Sequence, residues 1–290
     1  MIRSKLFVPG SRPELFEKAA RSAADALSFD LEDAVALEKK VEARAAVSSF
    51  LRGQHGLTDK RMIVRVNTIS SEFFDEDVKA IVGTGLDIIN VPKTESRDDV
   101  ISVVNAIARA ESSCGLKSGT IGLLANIETP KGLRLAHEIA AAHSRVMGLQ
   151  IGFKDMLSPW GIDSTDPVAQ RVIRLKVRLA AAESGIAAYD GVFADVKQPD
   201  GFRAEAENAR RMGLSGKSCI HPTQVPIANE VFTPSAEEIK QAERMLAAAS
   251  EAAERGVAVF TLDGQMIDGP IIAEARAIMA LAAKLGMARS

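Results

Sequence analysis

Residues 120–130 read Thr-Ile-Gly-Leu-Leu-Ala-Asn-Ile-Glu-Thr-Pro. Thr120–Ile127 is a short apolar run, stopped by Glu128 and the Thr129-Pro130 pair. An Ala-rich amphipathic stretch, Lys131–Ala142, follows, and then a second apolar run, Val146–Gly152, which ends in Phe153-Lys154-Asp155. Strand, helix and strand in about 30 residues is a βαβ unit. Both runs are apolar throughout rather than alternating, as expected of strands covered on both faces.

The same alternation extends in both directions. The strand-like runs are Lys5–Pro9, Ala26–Leu31, Met62–Asn67, Leu86–Pro92, Thr120–Ile127, Val146–Gly152, Gly191–Val196 and Lys217–His221. Helical stretches lie between them at Arg12–Ala24, Lys39–Arg52, Phe73–Val82, Asp98–Ser112, Lys131–Ala142, Asp166–Ser184 and Gly201–Met212. Eight such units fit a (β/α)8 TIM barrel, whose usual size is about 250 residues. A doubly wound sheet is the competing architecture, but no G-x-G-x-x-G follows the first strand. The C-terminal part differs. Ser235 caps a long helix, Ala236–Ala253, with Glu238 as its capping-box partner. A small segment, Gly256–Gln265, leads through Met266-Ile267-Asp268-Gly269-Pro270 to a last helix, Ile271–Leu285. The expected organisation is a barrel over residues 1–230 and a C-terminal helical extension over 231–290, both within one domain unit.

Composition excludes several functional classes. The 290 residues carry 36 Lys plus Arg against 38 Asp plus Glu, a formal charge of −2. A basic face of the kind that binds nucleic acid is therefore not expected. No apolar run nears the roughly 18–20 residues that cross a bilayer. The start, Met1 to Lys5, has no signal-peptide pattern. Two cysteines, Cys114 and Cys219, cannot build a disulfide framework. A folded cytoplasmic protein is the expectation.

In a parallel barrel the βα loops at the C-terminal strand ends build the site, and here those ends are charged. They carry Asp30, Glu32 and Asp33, Arg65, Lys93, Glu128, Lys154 and Asp155, Asp195 and His221. Any one of them has a bland reading: helix cap, solvated loop group or strand terminator. The Asp30, Glu32, Asp33 trio could cap a helix or pair with Arg65 or Lys93. So many charges at one rim suggest a charged ligand, since buried charge is costly unless it is paired. Glu128 and Asp155, on neighbouring strands, suit Mg²⁺, which keeps several waters and takes one or two protein carboxylates. His55, His137, His143 and His221 lack zinc-ligand spacing. Gly216-Lys217-Ser218 fails as a phosphate loop because Arg211 stands where glycine is required.

These residues, in this order, resemble the citrate lyase beta-subunit-like group of the HpcH/HpaI aldolase family. The matching motifs are Lys5–Gly10, Asp30–Val35, Val64–Asn67, Val91–Ser96, Ile127–Thr129, Gly216–Pro222, Phe232–Ser235 and Asp263–Pro270. The resemblance implies a TIM barrel that assembles as a homotrimer or hexamer, with Mg²⁺ at the rim. It also implies cleavage of a 3-hydroxyacyl-CoA thioester, such as malyl-CoA or citramalyl-CoA, to acetyl-CoA and a 2-oxo acid. Carried over by motif, Glu128 and Asp155 match metal ligands, and Arg65 matches the arginine that binds the substrate. Asp268 matches an acid/base on a C-terminal lid that covers the neighbouring subunit's site. Phe7, Lys18 and Lys39 match positions near the thioester carrier.

One departure stands beside the metal-ligand position: Lys154 replaces the acidic residue usual in the family. It could weaken cation binding by repulsion or hold a substrate carboxylate. Two further outcomes fit the same family. One is a malyl-CoA-type thioesterase, or the citryl-carrier-cleaving beta subunit of a citrate lyase complex. The other is a binding barrel without catalysis, which Lys154 alone favours and the retained Arg65, Glu128, Asp155 and Asp268 oppose.

Overall fold

The computed structural model describes residues 1–54, 59–83 and 85–287, and His55 lies outside them. They form two compact units, Ile2–Glu230 and a C-terminal unit from Val231 onward that also takes in Met1.

In the first unit eight strands close into a barrel in chain order: β1 (Ser4–Pro9), β2 (Ala26–Asp30), β3 (Arg61–Arg65), β4 (Ile88–Val91), β5 (Gly122–Ile127), β6 (Val146–Ile151), β7 (Ala187–Asp190) and β8 (Gly216–Cys219). Every pairing is parallel, including the β1–β8 pair that closes the ring. The expected (β/α)8 barrel is thus observed. Around it lie α1 (Phe16–Ala20), α2 (Lys40–Gln54), α3 (Phe74–Ile81), α4 (Arg97–Ser113), α5 (Pro130–Arg134), α6 (Ala136–Ala140), α7 (Phe153–Leu157), α8 (Pro167–Glu183), α9 (Pro199–Arg211) and α10 (Gln224–Val231).

Partners across a ladder point to the same side, so the registers sort the barrel interior into layers. Ala26, Ile63, Ile88 and Leu124 pack with Ile2 and Tyr189 into an apolar plug at the N-terminal end. Above it the inward positions turn polar: Lys5 beside Ser218, Phe7 beside Ser28, and Asn126 beside Gln150. Asp30 pairs with Arg65 at the C-terminal end. The outward strand faces, such as Leu27, Phe29 and Ile89, are fully buried under the helices.

The seventh strand lies one step earlier than the sequence predicts. The run Gly191–Val196 is a loop, and the strand is Ala187–Asp190. Alanines are weak strand formers, so propensity favours the more apolar run. Pairing decides otherwise: Gly148 and Gln150 of β6 align with Ala187 and Tyr189. The apolar loop residues are used elsewhere, Phe193 meeting Phe202 edge-on at 6.3 Å between ring centroids. Asp195 is therefore a loop residue that accepts from the Lys197 amide, and the strand's buried terminal acid is Asp190. The stretch Lys131–Ala142 breaks at Leu135 into α5 and α6. Arg12–Ala24 contracts to a 3-10 turn and α1.

The C-terminal unit contains α11 (Ala236–Glu254) and α12 (Gly269–Lys284). Ser235 and Glu238 form the reciprocal capping box at the start of α11. Between the helices runs an antiparallel hairpin, β9 (Phe260–Leu262) and β10 (Gln265–Ile267), so the extension is not wholly helical. Its turn, Asp263-Gly264, has φ of 52° and 82°, the two positive values a tight two-residue hairpin requires. Among the described residues no helix is long and apolar enough to cross a membrane.

The buried Glu111–Arg145 pair ties the end of α4 to the entry of β6, and Glu111 also reaches the entry of β5. Glu111 accepts from Arg145 at 2.6 and 2.8 Å and from the Gly119 and Ile121 amides. Removing one partner of such a pair strands a buried charge. Glu111→Ala should lower the unfolding free energy by about 3–5 kcal/mol, read from urea denaturation. A loss below about 1 kcal/mol would place the pair with exposed ones.

Candidate active site

The polar strand ends converge on a cavity of about 830 Å³ whose walls include Phe7, Asp30, Arg65, Glu128 and Asp155. That volume suits a small organic ligand. Arg65, the last residue of β3, is the cation around which the wall is organised. Its Nε and Nη2 donate to the two carboxylate oxygens of Asp30 at 2.8 and 2.6 Å, a bidentate fork that fixes the guanidinium plane. Its Nη1 lies 2.8 Å from Glu32 and 3.6 Å from Asp33. Burial works against the arginine's charge, but Asp30, then Glu32 and Asp33, hold its pKa above the ordinary value. The acidic trio is thus engaged by Arg65, with Asp30 also accepting from the Glu32 and Ala34 amides. The Phe7 ring faces the guanidinium, 5.4 Å from Cζ to ring centroid.

Glu128 follows β5 and is buried. Thr129 caps α5 by accepting from the Gly132 amide, so Glu128 is not the helix cap. It passes so close to β6 that a Cβ on Gly152 would lie 2.4 Å from its Oε2. Its Oε1 accepts from the Lys93 amide at 2.7 Å. Lys93 has φ 49°, a left-handed conformation uncommon outside glycine, which aims that N–H at the carboxylate. Burial pushes the Glu128 pKa up, the Lys93 amide and Arg65 oppose the rise, and Asp155 adds to it by repulsion.

Asp155 sits in the first turn of α7 and is partly exposed. The Lys93 ammonium stands between the acids, 3.6 Å from Glu32 and 3.9 Å from Asp155. A second cavity of about 480 Å³ meets the first at Glu128 and Asp155, and its wall includes Lys93, Lys131 and the exposed Trp160. Burial pushes the Glu32 carboxyl up to about 7; Arg65 and Lys93 oppose the rise, and Asp33 and Glu128 add to it by repulsion.

The donor set fits a hard divalent cation. Glu128 and Asp155 repel one another, and both present only oxygen, as Mg²⁺ prefers. Among the described residues no group of three or more His, Cys, Asp or Glu is arranged to hold a metal. A cation here would therefore draw on this carboxylate pair and on oxygens from substrate or water.

Of the residues singled out in the sequence, Arg65, Glu128, Asp155 and Phe7 share the large cavity. Lys154 is exposed and also lines it. Lys18 is exposed on α1, and Lys39 is exposed before α2 and paired with Glu42 at 2.8 Å; neither lines the cavity. Asp268 belongs to the C-terminal unit, where its carboxylate caps α12 by accepting from the Ile271 amide at 3.3 Å. His221 is exposed and bonded to Thr223 at 2.8 Å, as a structural turn residue would be. Sequence reasoning missed Asn126 and Gln150, which line the cavity from inside strands. An amide within an otherwise apolar strand was the available signal.

Comparisons with known proteins agree with this geometry. Residues 3–222 match the family model described as HpcH/HpaI aldolase/citrate lyase. The chain is 38% identical over 287 residues to the citrate lyase subunit beta of Escherichia coli K12, covering 98% of this chain and 94% of that protein. It is 39% identical over 282 residues to a (3S)-malyl-CoA thioesterase of Cereibacter sphaeroides, covering 97% and 94%. Among solved structures it resembles the Mycobacterium tuberculosis protein CitE in complex with magnesium, acetoacetate and coenzyme A. That match has a TM-score of 0.79 and 32% identity and covers 97% of each chain.

The raised carboxyl of Glu32 has a measurable consequence. Between about pH 4.5 and 7 the folded state keeps a proton that an unfolded glutamate has lost, so stability falls as pH rises through that window. In metal-free buffer, Glu32→Gln should reduce this fall, leaving the part that Glu128 contributes. Urea denaturation at pH 5 and pH 7 reads the difference, and an unchanged slope in the variant would contradict the assignment.

Proposed function

The chain belongs to the HpcH/HpaI aldolase/citrate lyase family, and from that premise we propose that it is a Mg²⁺-dependent carbon–carbon lyase. Its substrate would be a 3-hydroxyacyl-CoA thioester such as malyl-CoA or citramalyl-CoA, cleaved to acetyl-CoA and a 2-oxo acid. The observation that carries the proposal is the meeting of Arg65, Glu128 and Asp155 on one cavity of substrate size. The magnesium, acetoacetate and coenzyme A bound to the M. tuberculosis relative supports it.

Glu128 and Asp155 would hold the cation. When bound, Mg²⁺ supplies Lewis-acid stabilisation of the negative charge that develops on the substrate oxygens. Arg65 receives the carboxylate of the 2-oxo acid half. Its guanidinium is already locked by Asp30, so little freedom is lost on binding. The Phe7 ring beside it supplies an apolar wall against which the acyl portion lies. Lys93 holds Glu128 through its amide and balances Glu32 and Asp155 through its ammonium, so the acids stay oriented before any ligand arrives.

Cleavage leaves a thioester enolate that needs a proton at carbon. We assign that proton to Asp268, carried by a C-terminal unit acting as a lid on a neighbouring copy in a homotrimer or hexamer; in condensation the same group would remove it. Closing such a lid excludes water, which keeps the enolate from unproductive protonation. Lys18 and Lys39 would offset the carrier's phosphates at the entrance. The expected setting is the cytoplasm, where the two free cysteines stay reduced.

A thioesterase outcome is the second reading, favoured by the relatives named (3S)-malyl-CoA thioesterase. The deciding experiment follows acetyl-CoA, free CoA and 2-oxo acid release from malyl-, methylmalyl-, citramalyl- and citryl-CoA, with Mg²⁺ or with EDTA. Mg²⁺-dependent release of acetyl-CoA and a 2-oxo acid is the expected result. It should vanish in Asp155→Ala and fall by about 10² or more in Asp268→Asn. Free CoA without a 2-oxo acid would establish the thioesterase. Full activity in Asp155→Ala would remove that residue from the metal site.

A further inference from the structure

Seven buried side-chain nitrogen or oxygen atoms among the described residues have no hydrogen-bond partner, and only one of them, Gln150 Oε1, belongs to a residue that lines the large cavity. Gln150 lies inside β6 and is 4% exposed. A folded interior leaves few acceptors unmet, and an unmet one in a cavity wall calls for a ligand that donates to it.

Strand register fixes where that ligand group must lie. Gln150 is paired with Asn126 of β5 and with Tyr189 of β7. Asn126 stands two residues before Glu128, and Gln150 two residues before Gly152, the glycine against which Glu128 packs. Side chains two apart on a strand share a face. The two amides therefore form the floor directly beneath Glu128. Asn126 is partly engaged already: its Oδ1 accepts from Asn90 Nδ2 at 2.6 Å, and its Nδ2 faces Glu128 Oε2 at 3.4 Å. One Asn126 N–H and the Gln150 oxygen remain for a ligand.

Charge and hydrogen-bond capacity select the group. Six residues lining the cavity are acids, against two bases, Arg65 and Lys154. Arg65 is engaged by Asp30 and Glu32, and Lys154 is exposed. A second carboxylate on this floor would meet an acceptor in Gln150 and repulsion from Glu128, with its desolvation uncompensated. An ammonium would answer Gln150 but offer nothing to the Asn126 N–H. A methyl would leave both amides unmet. A hydroxyl alone matches both, as donor to one and acceptor from the other.

We propose that Gln150 and Asn126 form a specificity subsite for a hydroxyl on the carbon next to the keto group of the 2-oxo acid half. The hydroxyl donates to Gln150 Oε1 and accepts from Asn126 Nδ2. The substrate class is then a 3-hydroxyacyl thioester with a hydroxymethyl group where citramalyl-CoA has a methyl, cleaved to an uncharged, hydroxylated side chain on a 2-oxo monocarboxylate. This inference rests on reading the cavity as a 2-oxo acid site.

Isothermal titration in Mg²⁺ buffer with pyruvate, hydroxypyruvate and 2-oxobutyrate tests it without turnover. Hydroxypyruvate and 2-oxobutyrate differ by a hydroxyl against a methyl of nearly equal size. A site built to pair a hydroxyl discriminates strongly against an analogue that lacks it, so the wild-type protein should bind hydroxypyruvate at least about tenfold more tightly than 2-oxobutyrate. In Gln150→Met, which keeps the length of the side chain, the ratio should fall toward one while 2-oxobutyrate binds no worse. General damage to the site would instead weaken both acids and preserve the ratio. A wild-type ratio near one, or an undiminished ratio in the variant, would overturn the subsite while leaving the lyase reading intact. Failure of the wild-type protein to bind any of the three acids would overturn that reading itself. If Gln150→Met loses its circular-dichroism signature, Gln150→Leu serves in the same titration: a reduced ratio supports the subsite and an unchanged one overturns it.

Discussion

The bidentate bond between Arg65 and Asp30 is the interaction on which the barrel mouth depends. Two buried acids, Asp30 and Glu32, arrive there at the end of one strand with the exposed Asp33 beside them, and without a cation the desolvation of the buried pair would be costly. Arg65 supplies the charge from the adjacent strand, where the parallel register sets it beside Asp30. The pair also pins the guanidinium in one plane, so the group best suited to a substrate carboxylate is held rigid by the fold itself. Lys93 repeats the arrangement one strand further on. Its left-handed backbone directs an amide at Glu128, and its ammonium offsets Glu32 and Asp155.

Even so, the balance at the mouth remains tilted toward acid. The carboxyl groups of Glu32 and Glu128 are both pushed upward, which means that each would gain from more positive charge nearby. A divalent cation held by Glu128 and Asp155 would answer that demand. Beneath this, the interior layer around Lys5 shows the opposite tilt: a buried amine with no acid against it.

Much of this was legible in the sequence. The apolar runs ending in Asp30, Arg65, Glu128 and Asp155 were recognisable as strand ends with charge, because parallel strands buried on both faces read as near-continuous apolar runs against which a terminal charge stands out. The capping box Ser235–Glu238 was legible for a similar local reason. What escaped was set by pairing rather than by composition. Strand β7 is two alanines, a tyrosine and an aspartate, and only its register with β6 marks it out. Its terminal Asp190 is buried against Arg174 and Lys217, residues distant in sequence whose charges hide in a three-way bond. The hairpin of the C-terminal unit carries a plain signal in Asp263-Gly264, but its strands of three residues each are too short to show an alternating pattern. Lys5 could not be told from a surface lysine until the barrel closed over it.

The central claim is that Glu128 and Asp155 share a divalent cation beside Arg65. Electron paramagnetic resonance of Mn²⁺, a close surrogate for Mg²⁺ at oxygen sites, tests it most directly when titrated into the wild-type protein and Glu128→Gln. The account predicts one tightly bound Mn²⁺ per wild-type chain and at least about tenfold weaker binding in the variant. Equal affinity in the two proteins, or no bound Mn²⁺ in the wild type, would contradict it.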